Sequence, residues 1–153
     1  MTDALHFVDS NIPMYAAGSD HPLKEPCVSL LRAVATRRIR AVTNVEVCQE
    51  ILHRYSAHGE RGRAVTVAEK FMTVIPNVLP VTRDEIEMAL ELHRSYASVP
   101  TRDLVHAAVM RANGVRRIVS ADRHFDQLPE VVRIDPLTWF AGHSASGTQF
   151  PAM

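Results

Sequence analysis

The sequence predicts an α/β protein built on a parallel sheet. Short apolar runs of strand length alternate with longer segments in which apolar residues recur at helical spacing. Such alternation favours parallel strands joined by helices, because a parallel pair needs a crossover connection. The chain has 153 residues, 46% of them hydrophobic and 22% charged, with no evident internal linker. We therefore expect a single domain with a core of its own.

The first half of the chain predicts two strands and four helices. Their order is a strand at 5–8, helices at 10–17 and 20–34, a strand at 39–43, and helices at 45–52 and 65–75. The apolar run LHFV is too short for a helix and leads into Asp9. The second helix is expected to begin near Asp20 with Pro22 in its first turn, where a missing N–H costs nothing.

The second half predicts three more strands and two helices. Their order is a strand at 78–81, helices at 82–93 and 101–114, a strand at 117–120, and a strand at 131–134 that ends before Pro136. Thr82 and Glu85 have the spacing of a capping box. Thr101 is expected to cap the next helix. A short loop between the last two strands carries Asp122 and Asp126.

Composition limits the kind of protein. Lys+Arg 17 balance Asp+Glu 17, so any affinity for nucleic acid must come from local patches rather than from the net charge. Cys27 and Cys48 have neither the spacing of a zinc site nor the number of a secreted disulfide framework, and we expect buried thiols. No segment is long and apolar enough to span a membrane, and no leader pattern opens the chain. We therefore expect a cytoplasmic protein.

Four acidic residues are predicted to meet at one edge of the sheet: Asp9, Glu50, Asp103 and Asp122. Ligands of α/β sheets bind beyond the carboxyl ends of the strands. The first and last of these acids directly follow strands, and the other two lie on helices that reach the same edge. Clustered carboxylates repel one another unless a cation neutralises them. Hard oxygen ligands favour Mg²⁺ or Mn²⁺ over zinc or copper, so we predict a site for one of these ions.

Nearby side chains compete with these assignments. Asp126 shares the loop of Asp122, and Asp122 is preferred as the ligand because one of the two is expected to stabilise the turn. Glu46 lies one helical turn before Glu50 and could assist the site, although a salt bridge is favoured. His106 lies on the helix of the third acid, where packing is favoured over catalysis.

Four short motifs carry a resemblance to a known family. FVDSN, QEILHRY, RDLVHAA and SADRHFD, in this order and spacing, resemble the PIN domain, in particular the VapC-type toxins of VapBC toxin–antitoxin pairs. The family often has threonine after its first acid, and Ser10 keeps that hydroxyl here. The resemblance implies a three-layer α/β/α PIN-like fold with a central, mainly parallel sheet of four to five strands. It implies a nuclease domain at 1–140, and the small polar residues of 141–153 indicate a flexible C-terminal tail.

The resemblance also implies an activity. It implies a metal-dependent endoribonuclease in which Asp9, Glu50, Asp103 and Asp122 are both catalytic residues and ligands of one or two Mg²⁺ or Mn²⁺ ions. Water activated by the metal would then cleave a phosphodiester bond of RNA. The expected partners are the RNA substrate, a cognate VapB-like antitoxin and a second copy of the chain, with no membrane involved.

Two alternatives and the surface of the expected homodimer complete the predictions. The dimer could use apolar helical faces that contain Val65, Phe71, Met72 or Met88. One alternative is a noncatalytic PIN-like module that binds RNA or protein, against which the intact set of four acids weighs. The other is a magnesium-dependent phosphotransfer or phosphatase domain, whose usual second acid is replaced here by Asn11.

Overall fold

The structure is a computed structural model that describes residues 4–144. The strands are β1 Leu5–Val8, β2 Arg40–Asn44, β3 Val78–Leu79, β4 Arg117–Val119 and β5 Val132–Ile134. The helices are α1 Asn11–Ala17, α2 Lys24–Ala35, α3 Val45–Ala57, α4 Arg61–Val74, α5 Arg83–Ser95, α6 Thr101–Ala112 and α7 Pro136–Ser144. A 3₁₀-helix at Arg123–Gln127 connects β4 to β5. The alternation of strands and helices predicted from the sequence is therefore confirmed.

The five strands form one sheet in the order β3-β2-β1-β4-β5, and all four pairings are parallel. β1 lies in the middle, with Phe7 opposite Val42 of β2 on one side and opposite Ile118 of β4 on the other. The chain moves outward from β1 to β3 and then returns to begin β4 beside β1. Such a reversal opens a crevice at the carboxyl edge of the sheet, where open α/β sheets bind ligands.

Helices cover both faces of the sheet. Right-handed crossovers place the helices that connect β1, β2 and β3 on one face and those that connect β3 to β4 on the other. The contacts agree, because α1 packs on α2, α2 on α7, and α3 on α4, whereas α5 packs on α6. Side chains such as Phe7, Ile12, Leu104 and Ile118 are fully buried between the layers. The three-layer α/β/α fold is thus confirmed.

The apolar residues proposed for a dimer surface do not share one environment. Phe71 is 2% exposed and belongs to the core, so the expectation that it contributes to a surface contact is wrong. Val65 and Met72 lie on α4 and are exposed by 49% and 46%. Met88 on α5 is half-buried. Only part of the expected surface is therefore available to a partner.

Two helix starts differ from the prediction. α2 begins at Lys24 rather than near Asp20, with Pro26 instead of Pro22 in its first turn. Either proline suits a first turn, so the pattern could not distinguish them. Thr101 is the first residue of α6 rather than its cap, because Pro100 occupies the N-cap position.

The start of α5 agrees with the prediction. The Glu85 carboxylate accepts a hydrogen bond from the Thr82 backbone N–H at 3.0 Å, and the capping box is present. Negative charge in a first helical turn also complements the helix dipole. The capping box and the acidic first turn therefore both indicate the start of α5 that the structure shows.

The end of the described chain differs most from the prediction. α7 was not expected, and it crosses the boundary expected at residue 140, so that residues 141–144 are helical. Asp135 stabilises its start by accepting a hydrogen bond from the Thr138 backbone N–H at 3.0 Å. Residues 145–153 of the expected tail lie outside the described residues.

The structure also bears on two other expectations, that the cysteines are buried thiols and that no segment spans a membrane. Cys27 and Cys48 are free and buried, as expected. Burial raises the pKa of the Cys27 thiol to about 12, so this group is not a reactive thiolate. Among residues 4–144, no helix has both the length and the apolar character required to cross a bilayer.

Candidate functional site

Asp9 lies directly after β1 and is almost completely buried. Its Oδ1 atom accepts a hydrogen bond from the Ser10 backbone N–H at 2.8 Å. Its Oδ2 atom accepts hydrogen bonds from the Ser120 hydroxyl at 2.7 Å and from the Asn11 amide at 3.2 Å. Burial raises the pKa of Asp9, although these hydrogen bonds oppose the shift. The carboxylate is therefore held in one orientation by donors from the start of α1 and from the residue after β4.

Glu50 reaches the same place from the middle of α3 and is 6% exposed. The Ser10 hydroxyl donates to Glu50 Oε2 at 2.8 Å and so joins the first two acids. Glu50 Oε1 lies 3.1 Å from Arg102 and 3.4 Å from Arg54. Two guanidinium groups thus balance the charge of this carboxylate. Arg102 also pairs with Glu46 at 3.3 Å, which supports the salt-bridge role favoured for Glu46.

Asp103 enters the site from the first turn of α6. It is 8% exposed, and its Oδ2 atom is buried without a hydrogen-bond partner among the described residues. Burial in the first place, and then the charges of Asp9, Asp122 and Glu50, together raise the pKa of Asp103 to about 8. A buried carboxylate surrounded by three others is costly to ionise unless a cation is present.

Asp122 follows β4 and caps the 3₁₀-helix by accepting a hydrogen bond from the His124 backbone N–H at 2.9 Å. The His124 ring nitrogen Nδ1 lies 2.6 Å from Asp122 and 3.5 Å from Asp103. Burial opposes ionisation of Asp122, but the hydrogen bonds from His124 outweigh it and lower its pKa. Asp126 is 52% exposed and pairs with Arg133 at 2.9 Å, away from these contacts.

The four predicted acids therefore converge on one site, in two groups of donor atoms. The inner group is Asp9, Glu50 and His106, and the outer group is Asp103, Asp122 and His124. Within each group, one oxygen or nitrogen from every residue lies within 4.8 Å of the other two. Carboxylate oxygens dominate both groups, and Asp103 presents a buried oxygen that no donor among the described residues satisfies. The carboxylate oxygens of the two groups fit a hard divalent cation such as Mg²⁺ or Mn²⁺.

Several residues of the site were not assigned to it from the sequence. Ser120 is fully buried and donates to Asp9, while its oxygen accepts hydrogen bonds from the Asn11 amide and the Asp122 backbone N–H, each at 3.0 Å. Arg102 directly precedes the third acid, and this adjacency was the available signal for its role. His124 lies two residues after the fourth acid, a spacing that allows an imidazole to fold back onto the capping carboxylate.

A separate cavity lies at the opposite end of α6. It has a volume of about 530 Å³ and is lined by residues that include Met110, Arg111, Val115 and Glu130. It contains none of the four acids. Arg111 and Glu130 pair across it at 3.3 Å, so these two charges are mutually satisfied. The chemistry of the converging acids is therefore confined to the other end of the helix.

Comparison with known proteins gives the class of this chain. Residues 6–131 match the family model of the PIN domain. Ribonuclease VapC13 of Mycobacterium tuberculosis is 39% identical over 127 residues, which cover 83% of this chain and 97% of that protein. Ribonuclease VapC23 of the same species is 34% identical over 116 residues, which cover 76% and 91%. The chain therefore belongs to the PIN-domain family and, within it, to the VapC proteins.

Solved structures share the fold at lower sequence identity. VapC20 of M. tuberculosis, described as a toxin that cleaves the sarcin–ricin loop, has a TM-score of 0.68 and 21% identity, covering 82% of this chain and 95% of that one. A chain of VapBC2 from Rickettsia felis, bound to a promoter DNA fragment, has a TM-score of 0.66 and 16% identity, covering 85% and 97%. These structures agree with the three-layer fold.

Proposed function

We propose that this protein is a metal-dependent endoribonuclease and the toxin of a type II toxin–antitoxin pair. The observation that carries the proposal is the meeting of four carboxyl groups from separate segments, one of which presents a buried oxygen without a donor in the part of the chain that the structure describes. The names of the relatives VapC13 and VapC23, both ribonucleases, support the same activity. A noncatalytic binding module would gain nothing from keeping so costly a cluster of acids.

We assign the catalytic and metal-binding roles to Asp9, Glu50, Asp103 and Asp122. A bound Mg²⁺ or Mn²⁺ ion would lower the pKa of a water molecule and neutralise charge on the scissile phosphate. Ser10 and Ser120 contribute by fixing the orientation of the inner carboxylates before substrate arrives.

Arg102 is the side chain best placed to meet the RNA backbone. Its side chain is 34% exposed at the rim of the site, and its guanidinium lies 3.1 Å from Glu50. A guanidinium binds phosphate through a planar fork of donors. Arg102 therefore supplies positive charge beside the acids, although the net charge of the chain is zero. Local charge of this kind is what a neutral protein requires to bind a polyanion.

The proposed partners are a VapB-like antitoxin and a second copy of the chain. Solved relatives are VapBC complexes, including those of Rickettsia felis and Salmonella typhimurium. Exposed Val65 and Met72 on α4 offer apolar surface for a protein contact. Sedimentation of the purified chain should give a dimer, and a monomer at high concentration would contradict that assembly.

We propose that the protein acts in the cytoplasm, where an RNA substrate would be available.

The activity is tested with purified protein and two defined RNAs, a transfer RNA and a ribosomal RNA fragment. Cleavage of at least one is expected with Mg²⁺ or Mn²⁺, with loss of cleavage in a chelator and products that carry a 5′-phosphate. The Asp103→Asn variant should be inactive, whereas Asp84→Asn, which changes an exposed acid in the first turn of α5, should cleave normally. Binding of these RNAs without cleavage under any metal condition would instead favour the noncatalytic module.

A further inference from the structure

His106 is a fully buried histidine on α6 that stands beside the four acids without being one of them. Its ring lies 5.3 Å from the ring of Phe7, so it does pack in the core, as the sequence suggested. Packing alone does not explain the residue, however. An apolar side chain would fill the same space without the cost of burying two ring nitrogens.

The hydrogen bonds around Asn44 determine which ring nitrogen of His106 carries the proton. The Val47 backbone N–H, which can only donate, contacts Asn44 Oδ1 at 2.9 Å. The other atom of the Asn44 amide is therefore the NH₂ group, and it lies 3.1 Å from His106 Nδ1. An NH₂ group donates, so Nδ1 must accept. The hydrogen of the neutral imidazole then resides on Nε2.

The Nε2–H group of His106 faces Asp9. It has no hydrogen-bond partner among the described residues, and Asp9 Oδ1 lies 3.7 Å away. A movement of about 0.8 Å would bring the two atoms to an ordinary hydrogen-bond distance. A fully buried donor is costly while it has no partner, which favours this closure.

We propose that His106 is a positioning residue for Asp9, with Asn44 fixing the tautomer that lets Nε2–H hold the Oδ1 atom of the carboxylate. The inference rests on the proposed function only in taking Asp9 as a metal ligand. Once the metal-loaded site keeps Asp9 ionised, the Nε2–H group hydrogen-bonds to it and restricts its rotation. Hydrogen bonds to ligating carboxylates orient them towards the metal, and losing such a partner typically weakens metal affinity or activity by about 10-fold to 100-fold.

The tautomer can be observed directly by long-range ¹H–¹⁵N correlation of the histidine side chains in the full-length protein. We expect the His106 signals of a neutral ring protonated at Nε2. Addition of Mg²⁺ should shift the Nε2–H proton downfield as the bond to Asp9 forms. A ring protonated at Nδ1, or a signal at Nε2 that does not respond to saturating Mg²⁺, would overturn the proposal.

Two variants separate positioning from packing. His106→Leu fills the space with an apolar side chain of similar size but removes the Nε2–H donor. It should weaken Mg²⁺ binding by about 10-fold to 100-fold in calorimetry. His106→Gln offers an amide N–H in place of the imidazole N–H and should recover most of the affinity. Met110→Leu is the matched control, because it alters another fully buried position of α6 beyond the site and should leave Mg²⁺ affinity unchanged.

The outcomes distinguish this proposal from the proposed activity. Equal Mg²⁺ affinity in His106→Leu and the unchanged protein would refute positioning even if RNA is cleaved. Conversely, a loss of affinity in His106→Leu that His106→Gln restores would support positioning even if no RNA is cleaved. Should His106→Leu fail to fold, the spectrum of the unchanged protein and the affinity of His106→Gln still decide the matter, and a Gln variant without measurable Mg²⁺ affinity counts against positioning.

Discussion

The inner and outer groups of the site are held in different ways. In the inner group, the Asp9 and Glu50 carboxylates are buried and accept hydrogen bonds from neighbouring residues, and two arginines balance Glu50. In the outer group, Asp103 presents an oxygen without a donor among residues 4–144, and the contact to Asp122 comes from a histidine that is 46% exposed. The protein itself thus preforms the inner group, whereas we expect the outer group to need a bound cation before both of its carboxyl groups ionise.

The largest effect is expected from the centre of the inner group. Asp9→Asn keeps the shape of the side chain but removes its charge, so metal-dependent RNA cleavage should fall by about a thousandfold or more. The fold should survive, because the amide is isosteric with the carboxylate. Single-turnover cleavage rates with Mg²⁺ and a thermal unfolding curve measure the two properties. Unchanged cleavage would remove Asp9 from the mechanism.

Ser120 joins the two groups, so its loss should affect stability as well as activity. Ser120→Ala removes the donor to Asp9 and the acceptor for the Asp122 N–H in a fully buried place. We expect a loss of about 1–3 kcal/mol in the free energy of unfolding. Denaturant titration with chelator present measures it, with Ser95→Ala at an exposed position as the control. A Ser120→Ala variant as stable as the control would mean that the two groups are independent.

In the outer group, a substitution should increase the free energy of unfolding, whereas Ser120→Ala should lower it. Because the pKa of Asp103 is raised to about 8 in the folded protein, the folded state holds this proton more tightly than the unfolded state. Without metal, stability should therefore fall as the pH rises from about 4 to about 8. Asp103→Asn should remove much of this slope and, at pH 8 in chelator, raise the free energy of unfolding by about 1 kcal/mol. Unfolding curves across this pH range test it, and a variant with the same slope would contradict the assignment.

The smallest effect is expected just outside the outer group. Asp126→Asn breaks an exposed ion pair with Arg133, which is worth about 0–1 kcal/mol. RNA cleavage should be unchanged, because Asp126 does not face the other acids. The same assay that follows Asp122→Asn checks this, and a comparable loss of cleavage in both variants would show that the choice between the two acids was wrong.

The sequence predicted the acids of the site better than the groups that hold them. Asp9 and Asp103 are recognisable because each lies beside an apolar run at a sheet edge, and parallel topology brings such edges together. Ser120 has no distinctive pattern, since serine after a strand is most often solvated, and the only signal for Arg102 is its position directly before Asp103. Their roles depend on distances across the fold, such as the contact between Ser120 and Asp9, 111 positions apart.

Helix starts were predicted correctly where the local sequence signals agree. They were missed where a signal was overlooked or where two residues offered the same signal. The capping box fixed the start of α5. For α7 a local signal did exist, because Asp135 followed by Pro136 is a favourable cap and first residue of a helix. For α2 the prediction used Pro22, but Pro26 suits a first turn equally well, and the helix begins at Lys24.

The arrangement of β4 beside β1 also has a consequence for synthesis. The chain supplies Asp9 and Glu50 before Asp103 and Asp122, and the central strand must wait for β4 before its second edge is paired. A chain that ends just before β4 therefore contains Asp9, Glu50 and Asp103 but neither Asp122 nor a closed crevice. The crevice that gathers the acids therefore forms only after β4 and the loop that carries Asp122 have been made.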